Sequence, residues 1–286
     1  MILVTGASGH LGSAVIDFLL QKVPASQLAV LVRSEEKGTA FKEKGITVRT
    51  GDYLDKDSLV TAFNGVEKLL FISSSALNGR KAQHLNVVSA AQQAGVKFIA
   101  YTGVATTKTS GSAFQWFLDD HFDTDQAIRE SGITYALLHH TLYADFLPVF
   151  TGPKAADTGI RLPAGNGAVP FAARTDMAEA AANVITGAAH ENKEYNIGLP
   201  VSYSFAEVAK LLSEVSGKEV SYTDIPADAF KAFLESIHLP EEAIAVSVGF
   251  IAAIKANELD TPSGDLRQLL GREPKSLKEV IAAVYK

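Results

Sequence analysis

The chain opens with Ile2-Leu3-Val4-Thr5-Gly6-Ala7-Ser8-Gly9-His10-Leu11-Gly12, and the residues that follow, Ala14-Val15-Ile16-Asp17-Phe18-Leu19-Leu20, read as a helix. A buried-strand pattern thus runs through a glycine-rich turn into an amphipathic helix. Glycine at these spacings lets the backbone turn sharply, approach a pyrophosphate closely, and pack the helix on the strand. The helix amino terminus then offers free N–H groups and the positive end of its dipole to the phosphates. Glycine triplets are common in turns, so the triplet alone says little; its place between a strand and a helix gives it meaning. The stretch predicts a Rossmann-type α/β fold, a doubly wound parallel sheet with a dinucleotide seated from Gly6 to Gly12.

The next apolar run, Leu28-Ala29-Val30-Leu31-Val32, ends on Arg33-Ser34. An enzyme that selects NAD carries an acid here for the ribose hydroxyls, whereas an arginine pairs with the adenosine 2′-phosphate. Arg33 therefore points to NADP(H) over NAD(H). The alternative is a surface arginine, with Glu35 or Glu36 reaching the ribose.

Further along, β-rich runs at 1–5, 28–32, 47–50, 68–73, 97–102 and 134–139 alternate with amphipathic stretches at 11–20, 59–63, 83–94 and 119–131. That alternation, with near-continuous apolar strands, is the pattern of a parallel sheet covered by helices on both faces. From about Thr151 the rhythm changes: Gly152-Pro153, Pro163, Gly165, Gly167 and Pro170 read as loop. A helix at 174–187, a strand at 193–197, a helix at 205–216, a strand at 219–223 and a helical tail follow. The expected organisation is a nucleotide-binding domain over 1–150 and a smaller C-terminal α/β substrate lobe over 151–286, of which about 170–200 returns to the main sheet.

Composition narrows the function. With 286 residues, 47% apolar and 20% charged, the chain can bury a substantial core. A net charge of −6 and no Lys/Arg cluster longer than two argue against a nucleic-acid partner. The absence of cysteine removes disulfides, thiolate metal sites and a cysteine nucleophile. The histidines lack ligand spacing and only one dinucleotide turn is visible, so neither metal nor flavin is expected. The chain begins on a strand pattern, leaving no room for a signal peptide, and its longest apolar run, 243–254, is too short for a bilayer. A cytoplasmic protein with no membrane partner is the expectation.

Short-chain dehydrogenases use Tyr-x-x-x-Lys, in which the lysine lowers the tyrosine pKa for proton transfer. None of Tyr53, Tyr101, Tyr135, Tyr143, Tyr195, Tyr203, Tyr222 and Tyr285 has a lysine four residues on. Alcohol–ketone chemistry, whose alkoxide needs a positioned acid, is disfavoured, and so is a nucleotide-sugar epimerase. Hydride transfer to an acceptor that tolerates charge, such as a quinone, stays open because its reduced form is a stabilised phenolate. Tyr143, Phe146 and Phe150 follow the sixth strand; they either wall a flat aromatic acceptor by stacking or belong to the core. Trp116 and Phe117 are candidates for a lid.

The turn Gly6-Ala7-Ser8-Gly9-His10-Leu11-Gly12, the strand end Val32-Arg33, and Gly51-Asp52-Tyr53 occur in order with Leu69-Leu70-Phe71-Ile72-Ser73-Ser74-Ser75 and Gly95-Val96-Lys97-Phe98-Ile99-Ala100-Tyr101-Thr102. With the missing Tyr-x-x-x-Lys, the chain resembles the NmrA-like atypical short-chain dehydrogenases, and among them the bacterial NAD(P)H:quinone-reducing and triphenylmethane-dye-reducing branch. The resemblance implies cofactor contacts from Gly6 to Leu11 and from Arg33. It also implies Asp52 near the adenine, Ser73, Ser74 and Ser75 near the ribose and nicotinamide, and the stretch Leu137, Leu138, His139, His140, Thr141 and Leu142 after the sixth strand. Arg174 matches an arginine the family keeps before the returning helix. The chain departs from its relatives at His139-His140, where Arg-Asn is common.

In related benzylic-ether and isoflavone reductases a lysine stands where this chain has His121. His121 and Asp125 are four apart on an expected helix and share one face. Two readings stand: His121 as proton donor or substrate-orienting group with Asp125 holding its ring, or a surface i,i+4 pair of modest effect. For the whole chain the resemblance implies a flavin-free, NADPH-dependent reductase acting on a quinone or other small aromatic substrate, a homodimer being compatible with it. The alternative is a redox sensor that binds NADP(H) without catalysis and reports to a protein partner; His121 and the aromatic wall favour the enzyme.

Overall fold

The computed structural model describes residues 1–285. Its frame is a seven-stranded sheet containing β1 (Ile2–Val4), β2 (Leu28–Val32), β3 (Thr47–Thr50), β4 (Lys68–Ile72), β5 (Phe98–Val104) and β6 (Thr134–His140), with Lys193–Ile197 at one edge. The spatial order β3-β2-β1-β4-β5-β6 reverses direction between β1 and β4. β1 pairs in parallel with both neighbours, Leu3 opposite Ala29 on one side and Leu69 on the other. Central strands are apolar throughout, because helices cover both faces: every residue of Leu28–Val32 is buried. The edges differ, with β3 half-exposed along its length and Lys193–Ile197 exposing Lys193, Glu194 and Asn196. Charged and polar edge residues discourage pairing with another chain.

Helices α1 (His10–Leu19), α2 (Thr39–Glu43), α3 (Lys56–Phe63), α4 (Arg80–Gln93) and α5 (Gln115–Glu130) connect these strands. In α1 the buried residues Leu11, Val15 and Leu19 recur every fourth position beside Gly12 and Ile16, forming one stripe against the sheet. Asp55 caps α3 by accepting from the backbone N–H groups of Asp57 and Ser58. One core cluster gathers Leu3, Phe63, Phe71, Tyr101, Ile128 and Leu137, each with essentially no exposure. Each such large apolar side chain contributes about 1.5–3 kcal/mol on burial.

The chain forms two compact units: residues 1–104, 119–139 and 175–195 in one, and 105–118, 140–174 and 196–285 in the other. It passes between them repeatedly, whereas the sequence suggests one division near 150 with a return at 170–200. In the second unit, Ile160–Leu162 pairs in parallel with Tyr222–Asp224, and Ala168–Val169 pairs antiparallel with Tyr203–Ser204. The stretch expected to be loop thus contains two short strands, together with the short helix Ala155–Thr158. Strands of two or three residues held by distant partners leave no local periodicity to read. The strand expected at 219–223 begins only at Tyr222, since the Val220 N–H is taken by the Ser213 hydroxyl at 2.9 Å. Helices Phe205–Ser216 and Leu277–Val284 both start with capping boxes, Ser204/Glu207 and Ser276/Glu279.

Candidate functional site

In a doubly wound sheet, ligands bind beyond the carboxyl ends of the strands where strand order reverses. Here that point lies between β1 and β4, and the segments leaving them are the glycine turn and Ser73-Ser74-Ser75. The two strand ends are tied together: the Ile72 N–H donates to the Thr5 hydroxyl at 3.0 Å, and the Thr5 N–H donates to the Leu70 carbonyl at 3.0 Å.

The turn is built on glycine for two separate reasons. Gly6 has φ +61°, a conformation side chains rarely tolerate. Gly12 lies under the turn, where a Cβ would be driven into the Gly6 carbonyl oxygen and to 2.6 Å from the Ala7 Cα. The Gly9 N–H donates to the Gly6 carbonyl at 3.0 Å, and Gly9 caps α1 with no side chain over its amides. Ser8, Gly9 and His10 are exposed while Ala7, Leu11 and Gly12 are buried, leaving the helix amino terminus open to a ligand. These residues fit the phosphates of a dinucleotide.

Arg33 is exposed at the end of β2 and makes no side-chain hydrogen bond or ion pair with any described residue. The competing acids are engaged: Glu35 pairs with Lys42 at 2.9 Å, and Glu36 accepts from the Ser34 hydroxyl at 3.3 Å. Asp52, half-buried, accepts from the Leu54 N–H at 2.9 Å. The Ser73 N–H donates to the Thr102 hydroxyl at 3.0 Å, the Ser74 N–H to His84 Nε2 at 2.9 Å, and Ser75 is exposed.

Leu137 and Leu138 are fully buried. The half-buried His139 follows them, and then the buried His140 and Thr141 and the half-buried Leu142.

His121 and Asp125 do not form the unit expected of them. Asp125 Oδ2 accepts from His139 Nε2 at 2.8 Å, and its Oδ1 has no hydrogen-bond partner among the described residues. His121, 4% exposed, instead hydrogen-bonds the Tyr101 hydroxyl through Nδ1 at 2.8 Å. Sharing a helix face did not make the two residues partners, because β5 and β6 present Tyr101 and His139 to that face. Gly103 makes room for the second pair: a Cβ there would meet His139 Cδ2 at 2.9 Å.

His121 belongs to a buried polar cluster that the sequence reading missed. His84 Nδ1 donates to the Thr124 hydroxyl at 2.9 Å, Thr124 donates to the Asp120 carbonyl at 2.5 Å, and Arg80 Nε bonds Asp120 at 3.1 Å. Burial, helped by the Arg80 charge, pushes His84 down to about 3. Burial, again reinforced by Arg80, holds His121 well below the ordinary histidine value. The Tyr101 hydroxyl is raised by burial and by Asp125. Both imidazoles are therefore neutral at physiological pH. A signal was present in the sequence, since Arg80 and His84 continue the core-facing stripe of α4 with Val87, Val88 and Ala91.

In the second unit, Tyr143 and Phe146 stack at 5.9 Å and the Arg174 guanidinium lies 5.3 Å and 5.1 Å from their ring centres. The Arg174 N–H donates to Asp145 at 2.8 Å, and the Tyr143 hydroxyl lies 3.2 Å from His140 Nδ1. Burial raises Tyr143 to about 12, so it keeps its proton. Phe150 instead packs edge-on against Phe250. Phe117 stacks on Phe114 at 4.4 Å and Trp116 meets both edge-on, so the expected lid residues form an aromatic cluster. A cavity of about 200 Å³ lined by Lys68, Phe98, Thr134 and His190 lies at the amino ends of β4 and β6, opposite the ligand end. Among the described residues, no three His, Asp or Glu side chains group to hold a metal, and no helix is long and apolar enough to cross a membrane.

The model of the NmrA-like family matches residues 1–281. Quinone oxidoreductase 2 of Escherichia coli (strain K12) is 39% identical over 287 aligned residues, which cover 100% of this chain and 99% of that protein. The NADPH complex of the E. coli NADPH-dependent quinone oxidoreductase superposes with a TM-score of 0.93 at 37% identity, covering 100% of both chains. The NADP(H) complex of Citrobacter sp. triphenylmethane reductase gives a TM-score of 0.93 at 41% identity, covering 99% of this chain and 100% of the other.

Proposed function

Because this chain belongs to the NmrA-like family, we propose that it is a cytoplasmic, NADPH-dependent reductase that delivers hydride to a quinone-like or other conjugated aromatic acceptor without flavin. The observation that carries the reading is the likeness, end to end in both chains, to two reductases whose structures hold NADPH or NADP(H). Bound NADPH supplies the hydride. The turn from Gly6 to Gly12 and the start of α1 hold the pyrophosphate, with neutralisation by the helix dipole. Arg33 reaches the 2′-phosphate, its charge being uncommitted among the described residues. Asp52 borders the adenine, and Ser73 to Ser75 and His139 border the ribose and nicotinamide.

Within the second unit, the stacked Tyr143 and Phe146 offer a planar face suited to an aromatic ring, and Arg174, lying against both rings, is a cation suited to an anionic product. A quinone gains hydride to give a delocalised phenolate, which takes its proton from water. No fixed acid of the Tyr-x-x-x-Lys kind is required, in keeping with the eight tyrosines that lack one. His121, almost wholly buried against Tyr101, supports that tyrosine rather than meeting the acceptor.

The test is stopped-flow oxidation of protein-bound NADPH by a panel of quinones, followed by loss of the reduced nicotinamide absorbance. Single-turnover oxidation by at least one quinone is expected. NADPH that binds and is oxidised by none of them would overturn the reading in favour of a sensor.

A further inference from the structure

We propose that His84 is a positioning residue for the cofactor: its Nε2 accepts the Ser74 backbone N–H and so fixes the segment Ser73-Ser74-Ser75 beside the phosphate turn. The proposal rests on the role given above to that segment at the ribose and nicotinamide.

The segment leaves β4 at the reversal point of the sheet and has no regular secondary structure to hold it. Side chains from neighbouring elements hold it instead. Thr102 of β5 takes the Ser73 N–H at 3.0 Å, and His84 of α4 takes the Ser74 N–H at 2.9 Å. Gln83, adjacent to His84, accepts from the Ser74 hydroxyl at 2.6 Å, and that hydroxyl accepts from the Ala76 N–H at 3.1 Å. His84 is the only ring in this set, and it has no solvent exposure.

Its geometry admits one tautomer. Nε2 is an acceptor toward Ser74, so the proton sits on Nδ1 and is donated to Thr124 on α5. Thr124 passes its own proton to the Asp120 carbonyl, which completes a chain from α5 through α4 to the loop. A protonated ring would have no lone pair for Ser74 and would break the chain at its last bond. The groups facing the ring are Arg80, Tyr101, His121 and Phe71, and none of them is an anion that would favour the imidazolium. The loop is thus held by a neutral imidazole throughout the working pH range.

Without this bond the half-buried Ser74 N–H loses its partner, or the loop moves to find water. In either case the cofactor-ready arrangement becomes a minor state, and apparent affinity falls by its population. Loss of one such bond corresponds to about tenfold in the NADPH dissociation constant. The variants are His84→Leu, of similar bulk but with no acceptor, and His84→Gln, whose amide oxygen can stand near the Nε2 position. Their folding is checked by circular dichroism and their NADPH affinity by fluorescence titration. His84→Leu should weaken NADPH about tenfold and leave single-turnover hydride transfer at saturating NADPH within about twofold, while His84→Gln recovers most of the affinity. An unchanged dissociation constant in folded His84→Leu, or a loss that His84→Gln does not rescue, would overturn the proposal.

Two measurements on the wild-type chain do not depend on variants folding. The ¹⁵N shifts of His84 should report a neutral ring protonated on Nδ1 from about pH 5 to 8; a ring that titrates in that range, or carries its proton on Nε2, refutes the assignment. Amide hydrogen exchange separates this inference from the reading beneath it. If NADPH fails to protect Ser73–Ser75 in the wild type, the segment is not at the cofactor and both fall. If NADPH protects it equally in wild type and His84→Leu, only the role of His84 falls.

Discussion

Lowering the pH from about 7.5 to about 5 should destabilise this protein well before its carboxylates protonate, through the histidines buried beside Tyr101. His84 is held down to about 3 by burial and, secondarily, by the Arg80 charge. An unfolded histidine has a pKa of about 6.5. Above that value neither state binds the proton and the shift has no effect on stability. As the pH falls below it, the unfolded chain gains a proton that the native ring refuses, and stability falls until the native ring titrates as well. At about pH 5 the unfolded state is favoured by about 1.5 pH units of proton binding, which is about 2 kcal/mol from His84 alone. His121 is displaced in the same direction for the same reason and adds to the loss. His190, lowered by burial and by Lys193, contributes less because it is only half-buried. Urea unfolding at the two pH values measures the effect. With an m-value of about 3 kcal/mol/M, the midpoint should drop by about 0.7 M from His84 alone. His84→Gln should remove one share of that dependence and His190→Gln very little. A midpoint independent of pH across this window, or a His84→Gln protein with the full wild-type dependence, would refute the claim that His84 is buried neutral.

Three further outcomes follow from particular residues. Arg33→Ala should weaken NADPH by about ten- to hundredfold and NADH little, because the lost contact is a charge-assisted bond to the 2′-phosphate; equal losses in titrations with both cofactors would remove Arg33 from the site. Gly12→Ala should abolish cofactor binding and lower stability together, since the new Cβ enters the Gly6 carbonyl; an NADPH affinity within twofold of wild type would count against the turn geometry. His121→Gln should cost stability through its bond to Tyr101 yet leave quinone turnover within about twofold, and a loss of tenfold or more at saturating substrates would restore His121 to the chemistry.

The sequence disclosed the sheet because its central strands are buried on both faces and its edge strands still read as short β-rich runs. Leu28–Val32, Thr47–Thr50 and Lys193–Ile197 are read to the residue. The phosphate turn was equally legible, because its glycines answer to backbone demands that need no partner elsewhere: a positive φ at Gly6 and a close approach at Gly12. What failed were statements about which side chain meets which. Periodicity assigns His121 and Asp125 to one face of α5 but is silent on what the sheet offers to that face, and Tyr101 and His139 turned out to be the better placed partners. The same limit hid the division of the chain, since residues 105–118 and 140–150 follow sheet strands in sequence yet belong to the other unit. The polar cluster was legible in a different way. A charged or titratable residue on the apolar stripe of a helix that covers a sheet has to find its partner in a loop or in the next helix, because burial without one costs several kcal/mol. Arg80 and His84 break the stripe of α4, and their partners are Asp120 and Thr124 on α5 and Ser74 in the loop after β4. Two such residues one helical turn apart therefore mark a junction between that helix, its successor and the ligand end of the sheet. That is the arrangement on which the role of His84 depends.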